Sequence, residues 1–295
     1  MVVLGEDDLT LLEAAVEAAL RSGDETSLRI LGYGEISLVL AWPTDSPRVA
    51  AKRLPVFGHR HRAEAYGALI VDYLEALRER GVEPLDSGFA VTPTADGRSA
   101  AYVVQPVLEA DRLAPAVLST ADDGGGRRLL AAIVDLIVGG VDERVGVDGQ
   151  LSNWAATPDG LRYLDVTTPM LTDARGETRL DLTVLTSPLP ALVRPGVRRW
   201  VAPGIAARYH RRRDVLVDLA ANLLKERLER WVDPTIEAAN RHLERPIDRA
   251  EVDRYYRADA RLWELMWRLR RADRRWQRAV RRRPYPTLLP GRVER

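Results

Sequence analysis

Apolar positions recur at helical spacing through residues 6–22, EDDLTLLEAAVEAALRS, and a Ser-Gly-Asp stop follows. The spacing predicts a leading amphipathic helix. The texture then changes. SLRIL at 27–31, SLVLAW at 37–42 and RVAAKRL at 48–54 are short and apolar, and are broken by GYGE and PTDSP. They predict three antiparallel strands joined by turns. A helix is predicted over 59–80, ended by Gly81, and a hairpin over 90–107 with its turn at Ala95-Asp96-Gly97. After Pro106 the pattern is mostly helical. A Gly-rich loop at 124–126 precedes an apolar helix over 127–141, and a short strand pair flanks Pro158-Asp159-Gly160. Longer helices are predicted over 208–231 and 248–283, and RRRPYPTLLPG reads as an extended, proline-limited end.

Composition adds bounds. With 295 residues, 46% hydrophobic and 29% charged, the chain suits a soluble protein with two sizeable cores. Zero cysteines exclude disulfides, thiolate metal sites and cysteine nucleophiles. MVVLGEDDLT carries no basic segment leading into an apolar core, and LLAAIVDLIVGGV at 129–141 is too short to span a bilayer. The expectation is a cytoplasmic protein with no membrane contact. Charge is uneven: residues 241–295 hold 17 Arg against 8 acids, a net +9, which leaves −8 for the first 240. Of 44 basic side chains only Lys52 and Lys225 are lysine. A lysine kept amid so much arginine points to a task that a planar fork performs poorly.

Candidate chemistry gathers at a few positions. GYGEIS at 32–37 sits between two predicted strands, where glycine lets a hairpin tip lie close to phosphates. Lys52 lies in an apolar strand and calls for an anion; Glu64 on the following helix is preferred over Glu75, three turns on. Asp148 and Asn153 flank a tight polar loop, and Asp165 ends an apolar strand. A carboxylate with an amide oxygen suits magnesium, and a second carboxylate can accept a proton from a hydroxyl.

The order of these pieces resembles the protein-kinase-like superfamily, most closely its aminoglycoside phosphotransferase branch. Gly32, Gly34, Ser37 and Val39 follow the G-x-G-x-x-G-x-V pattern, with Ser37 at the third glycine, and VAAK ends on Lys52. Asp148 and Asn153 keep the catalytic-loop spacing, and Asp165 falls where the family keeps a metal-binding Asp. The motifs span about residues 26–170. The texture YYRADARLWELMWRLRRADRRWQ is similar to that of an uncharacterised actinobacterial family of kinase-like proteins.

The resemblance implies an α+β, two-lobed fold: an N-terminal helix to residue 25, a sheet lobe over 26–106, a helical lobe over 107–240 and an Arg-rich extension packed on it. It implies ATP and magnesium as cofactors. Gly32 to Ser37 would cover the phosphates, and Val39 would line the same site. Lys52 would hold the phosphates and pair with Glu64. The hinge at Val104 to Leu108, with Gln105 and Val107, would take the adenine. Asp148 would serve the acceptor hydroxyl, and Asn153 and Asp165 would ligate the metal. The departures are Val147 in place of the usual histidine, Gln150 in place of a loop lysine, and Asp165-Val166-Thr167 in place of Asp-Phe-Gly. The reading is a phosphotransferase acting on a hydroxyl of a small molecule or peptide, with a nucleotide-binding pseudokinase as the alternative. A nucleic-acid partner for the basic C-terminus is disfavoured, because acids are interleaved with the arginines and aromatic platforms are lacking.

Overall fold

The computed structural model describes residues 3–34, 36–282, 285, 287 and 288. Glu35 of the hairpin tip and most of the extended end predicted beyond 282 lie outside the described residues.

The elements run α1 (Glu6–Ser22), β1 (Ile30–Tyr33), β2 (Leu38–Trp42), β3 (Val49–Arg53), α2 (Arg60–Glu79), β4 (Gly88–Pro93) and β5 (Ser99–Pro106). Then come α3 (Ala114–Thr120), α4 (Asp123–Gly140), β6 (Trp154–Thr157), β7 (Gly160–Tyr163), α5 (Leu182–Thr186), α6 (Arg194–Trp200) and α7 (Ala202–Arg208). The chain continues with α8 (Arg212–Lys225), α9 (Val232–Asn240) and α10 (Arg249–Ala279). The fold is α+β, with an antiparallel five-stranded sheet in the order β1-β2-β3-β5-β4 followed by a mainly helical part.

Strand periodicity decides what each sheet face does. Leu38, Leu40, Val49, Ala51, Tyr102 and Val104 point to one face and pack under α1 through Leu9, Leu12 and Val16. The residues between them, Val39, Ala50, Lys52 and Gln105, point to the other face and line a cleft. The α1 face also holds a buried ion pair. Arg53 donates to both carboxylate oxygens of Glu13 at 2.8 and 2.6 Å, and the Tyr102 hydroxyl donates to the same carboxylate at 2.5 Å. α2 packs beside β4 and β5 through Ala63, Tyr66, Ile70 and Tyr73, which join a core running into the helical part.

Three predicted elements change. The first strand begins at Ile30, because residues before it form a turn. Gly124 to Gly126 form the first turn of α4 and not a preceding loop; Asp122 caps it by accepting from the Gly125 N–H. Gly126 is there for space: a Cβ would lie 2.0 Å from the Trp231 ring. The single helix predicted over 208–231 is α8 plus a separate turn, and residues 182–208 form three short helices that periodicity did not signal. Among the described residues no helix is long and apolar enough to cross a membrane.

Candidate active site

A cleft of about 480 Å³ lies between the sheet and the helical part, a size typical of small-molecule sites. Its sheet wall carries Gly32, Gly34, Ser37, Val39, Lys52 and Gln105. Its floor carries Asp148, Asn153 and Asp165. Residues 133 positions apart in sequence, from Gly32 to Asp165, thus share one space.

The hairpin tip is closed by the Gly34 N–H donating to the Ser37 carbonyl at 2.8 Å. A side chain at position 34 would start 2.6 Å from the Ser37 hydroxyl, so glycine is what this tight turn admits.

Lys52 is half-buried in the middle of the sheet, opposite Val39 and Val103. Its ammonium donates to the Leu164 carbonyl at 2.6 Å. Burial pushes its pKa down, and the Asp165 charge partly restores it. The expected helix partner is corrected here. Glu64 pairs with Arg60 at 2.7 Å, one turn away on the same exposed face, and its side chain is 54% exposed. Glu75 is exposed as well. The face of α2 that turns inward carries tyrosines instead. The Tyr66 hydroxyl donates to the Thr167 carbonyl at 2.9 Å, and the Tyr73 hydroxyl to the Gly146 carbonyl at 2.8 Å. α2 therefore grips the backbone on either side of the site and supplies no counter-charge to Lys52.

Gln105 is 2% exposed and donates to the Leu164 carbonyl at 3.0 Å and to the Ser87 hydroxyl at 2.9 Å. Lys52 and Gln105 thus meet on one carbonyl, just before Asp165. Pro106 and Leu108 also line the cleft, whereas Val107, expected at the adenine, is not among its lining residues.

The loop that holds Asp148 is fixed from several sides. The Asp148 N–H donates to the Tyr163 hydroxyl at 3.1 Å, and the Asn153 amide donates to the Asp148 carbonyl at 3.3 Å. The Gln150 N–H donates to the Asp148 carboxylate at 3.1 Å. Asn222 on α8 accepts from the Leu151 N–H at 2.9 Å, and Lys225 donates to the Gln150 side chain at 3.3 Å. Asp165 accepts from the Thr167 hydroxyl at 2.6 Å.

These contacts fit a magnesium site. Asn153 uses its NH2 on a backbone carbonyl, which directs its amide oxygen elsewhere, and Asp165 engages Thr167 through one carboxylate oxygen. Both available donors are hard oxygens. Among the described residues no cluster of three acidic or imidazole ligands could hold a metal by itself, so an ion here would need phosphate oxygens as well.

Sequence reasoning missed Tyr66, Tyr73, Tyr163 and Asn222. The tyrosines carried a signal, since Tyr66 and Tyr73 are seven apart on the apolar face of a predicted helix. Lys225 carried one too, as the other lysine of the chain. The Arg211 to Arg213 run is engaged structurally: Arg213 makes two 2.6 Å bonds to Glu251, and Arg212 donates to the Val141 carbonyl at 2.7 Å.

A family model described as a family of unknown function, DUF6206, matches residues 11–274. The chain belongs to this family. No curated protein matches this DUF6206 member in sequence. Among solved structures it is similar to WaaP in complex with acyl carrier protein, at 17% identity and a TM-score of 0.40, covering 92% of this chain and 99% of that one. It is also similar to a mutant form of the Mycobacterium tuberculosis PknI kinase domain, at 16% identity and a TM-score of 0.30, covering 74% and 96%. Likeness at this level concerns fold and says nothing of activity or substrate.

Proposed function

We propose that this DUF6206 member is an ATP- and magnesium-dependent phosphotransferase acting on the hydroxyl of a small molecule or peptide. The observation that carries this reading is the convergence of Lys52, Asp148, Asn153 and Asp165 on one cleft beneath the Gly32–Ser37 hairpin.

In this reading the residues divide the work. Lys52 neutralises phosphate charge, and binding a phosphate returns to it the counter-charge that α2 does not provide. The hairpin covers the phosphates and keeps water out. Val39, Ala50 and Leu113 give the base an apolar slot that ends at Pro106 and Leu108. Asp148 takes the proton of the acceptor hydroxyl as its oxygen bonds to the γ-phosphorus, and the bond to the bridging oxygen of ADP breaks. Asn153 and Asp165 would hold magnesium, which, when bound, neutralises charge on the phosphates.

Mg-ATP binding tests the site. Lys52→Ala and Asp165→Ala should each lose about 1.5–3 kcal/mol of binding, roughly ten- to a hundredfold. Affinity equal to wild type in both variants would show that the nucleotide does not bind here.

A second reading, a nucleotide-binding scaffold without catalysis, is favoured by one observation: Lys52 is tied to the Leu164 carbonyl and has no carboxylate from α2. Phosphoryl transfer that disappears in Asp148→Asn, with Mg-ATP binding retained, would exclude it.

A further inference from the structure

Gln105 stands at the end of the apolar slot described above. It pairs with Ala50 across β3 and β5, and both line the cleft. A flat ring resting on Ala50 therefore has the Gln105 amide beside it. Leu85, Pro106 and Leu164 line the same part of the wall.

The hydrogen bonds around Gln105 fix which end of its amide is available. An amide nitrogen carries two protons, and both are spent. One goes to the Ser87 hydroxyl oxygen at 2.9 Å, the other to the Leu164 carbonyl at 3.0 Å. Neither partner can donate in return. A carbonyl only accepts, and the Ser87 hydroxyl gives its single proton to the Leu85 carbonyl at 2.6 Å. Turning the amide over would set its oxygen against two acceptors. The NH2 group therefore faces the protein. The amide oxygen is what remains, and among the described residues no group donates to it. Lys52 meets the same Leu164 carbonyl at 2.6 Å, so this amide and the phosphate-binding ammonium are set against one fixed point.

Gln105 is only 2% exposed. A base that fills the slot shuts water away from the amide oxygen. It must then donate to that oxygen or leave it unpaired, which is unfavourable. Purines differ in what they can offer. Adenine presents an exocyclic amino group, a donor. Guanine and hypoxanthine carry a carbonyl at the same ring position, an acceptor that would face the amide oxygen lone pair to lone pair.

We propose that the side-chain oxygen of Gln105 selects the base: it accepts from the exocyclic amino group of adenine and rejects nucleotides with a carbonyl there. Ser87 and the Leu164 carbonyl hold the amide in this sense. The inference rests on the phosphotransferase reading for the place of the nucleotide, and adds the side chain that determines which nucleotide is taken.

The test is calorimetric titration of the full chain with the magnesium complexes of ATP, GTP and ITP, the last differing from ATP by a carbonyl in place of the amino group. GTP and ITP should each bind wild type at least about tenfold more weakly than ATP. Gln105→Met keeps the length of the side chain and removes the oxygen, so the preference for ATP over ITP should shrink to within about threefold. A merely structural role would weaken both nucleotides alike and leave their ratio unchanged. ITP binding to wild type as tightly as ATP overturns the proposal, whatever the variant does. An ATP to ITP ratio that Gln105→Met leaves unchanged also overturns it. In either case retained Mg-ATP binding leaves the phosphotransferase reading standing. Failure of all three nucleotides to bind wild type overturns that reading, and the base assignment with it.

Discussion

Lys52 and Arg53 are neighbours that face opposite sides of one strand, and each predicts a different measurement. Arg53 is held by Glu13 and Tyr102 under α1. Removing one partner strands a buried charge, so Glu13→Ala should cost about 3–5 kcal/mol in urea unfolding. Lys52 behaves in the opposite sense. Its folded pKa is depressed, so the unfolded chain holds this proton more tightly, and the group's contribution to stability rises with pH through the interval between its folded and ordinary values. Lys52→Met should therefore leave the free protein as stable or stabilise it by about 1 kcal/mol, while reducing the rise in Tm given by a fixed concentration of Mg-ATP. Because phosphate needs the charged form, wild-type affinity for Mg-ATP should fall with rising pH below the ordinary lysine range. Affinity that is flat up to that range would count against the role of Lys52.

At the scale of elements, α2 and α4 show how a helix serves a site it does not line. α2 holds the segment after Asp165 through Tyr66, and the segment before Asp148 through Tyr73. Tyr66→Phe removes one hydrogen bond and keeps the ring that packs 5.5 Å from Phe57. It should cost about 1 kcal/mol of stability. If the bond also orients Asp165, Mg-ATP affinity should fall more than that of a distant variant of equal stability. α4 supports the floor from below, and its first turn fits against Trp231 only because position 126 has no side chain. Gly126→Ala should destabilise by about 1–3 kcal/mol through overpacking, read as a lower urea midpoint with an unchanged slope.

Across the whole molecule, α10 links the two parts. At 31 residues it is roughly 46 Å long. Its start is tied to the helical part: Arg213 binds Glu251, and Arg249 reaches Glu229 and Asp233 at 2.8 and 3.2 Å. Its later turns meet the sheet part. Trp267 and Arg270 lie beside Gly34 and Ser37, and the Arg278 guanidinium lies against Gly23 at the end of α1. The arginine excess of 241–295 is in part accounted for by these contacts and by the i,i+4 pairs Arg249–Asp253 and Arg268–Glu264. Trp267→Ala should loosen the hairpin. Faster hydrogen exchange at residues 30–38 is expected, with exchange in α8 unchanged. Unaltered exchange at 30–38 would mean that α10 does not restrain the hairpin.

The sequence by itself determined the order of strands and helices over residues 26–106 and the set of chemically apt residues. These follow from local periodicity and from residue types whose chemistry is intrinsic. Lys52 stood out because it is one of two lysines among 44 basic residues. Three matters needed the tertiary structure. Helix periodicity could not separate Glu64 from the inward face, because α2 buries a stripe of Ala63, Tyr66, Ile70 and Tyr73 set by packing on the sheet. The short helices α5–α7 have too few turns to show a period, and their burial comes from neighbours distant in sequence. Spacing along the chain could bring Asp148, Asn153 and Asp165 into one motif, but only long-range packing brings Lys52 and Gln105 onto the carbonyl of Leu164.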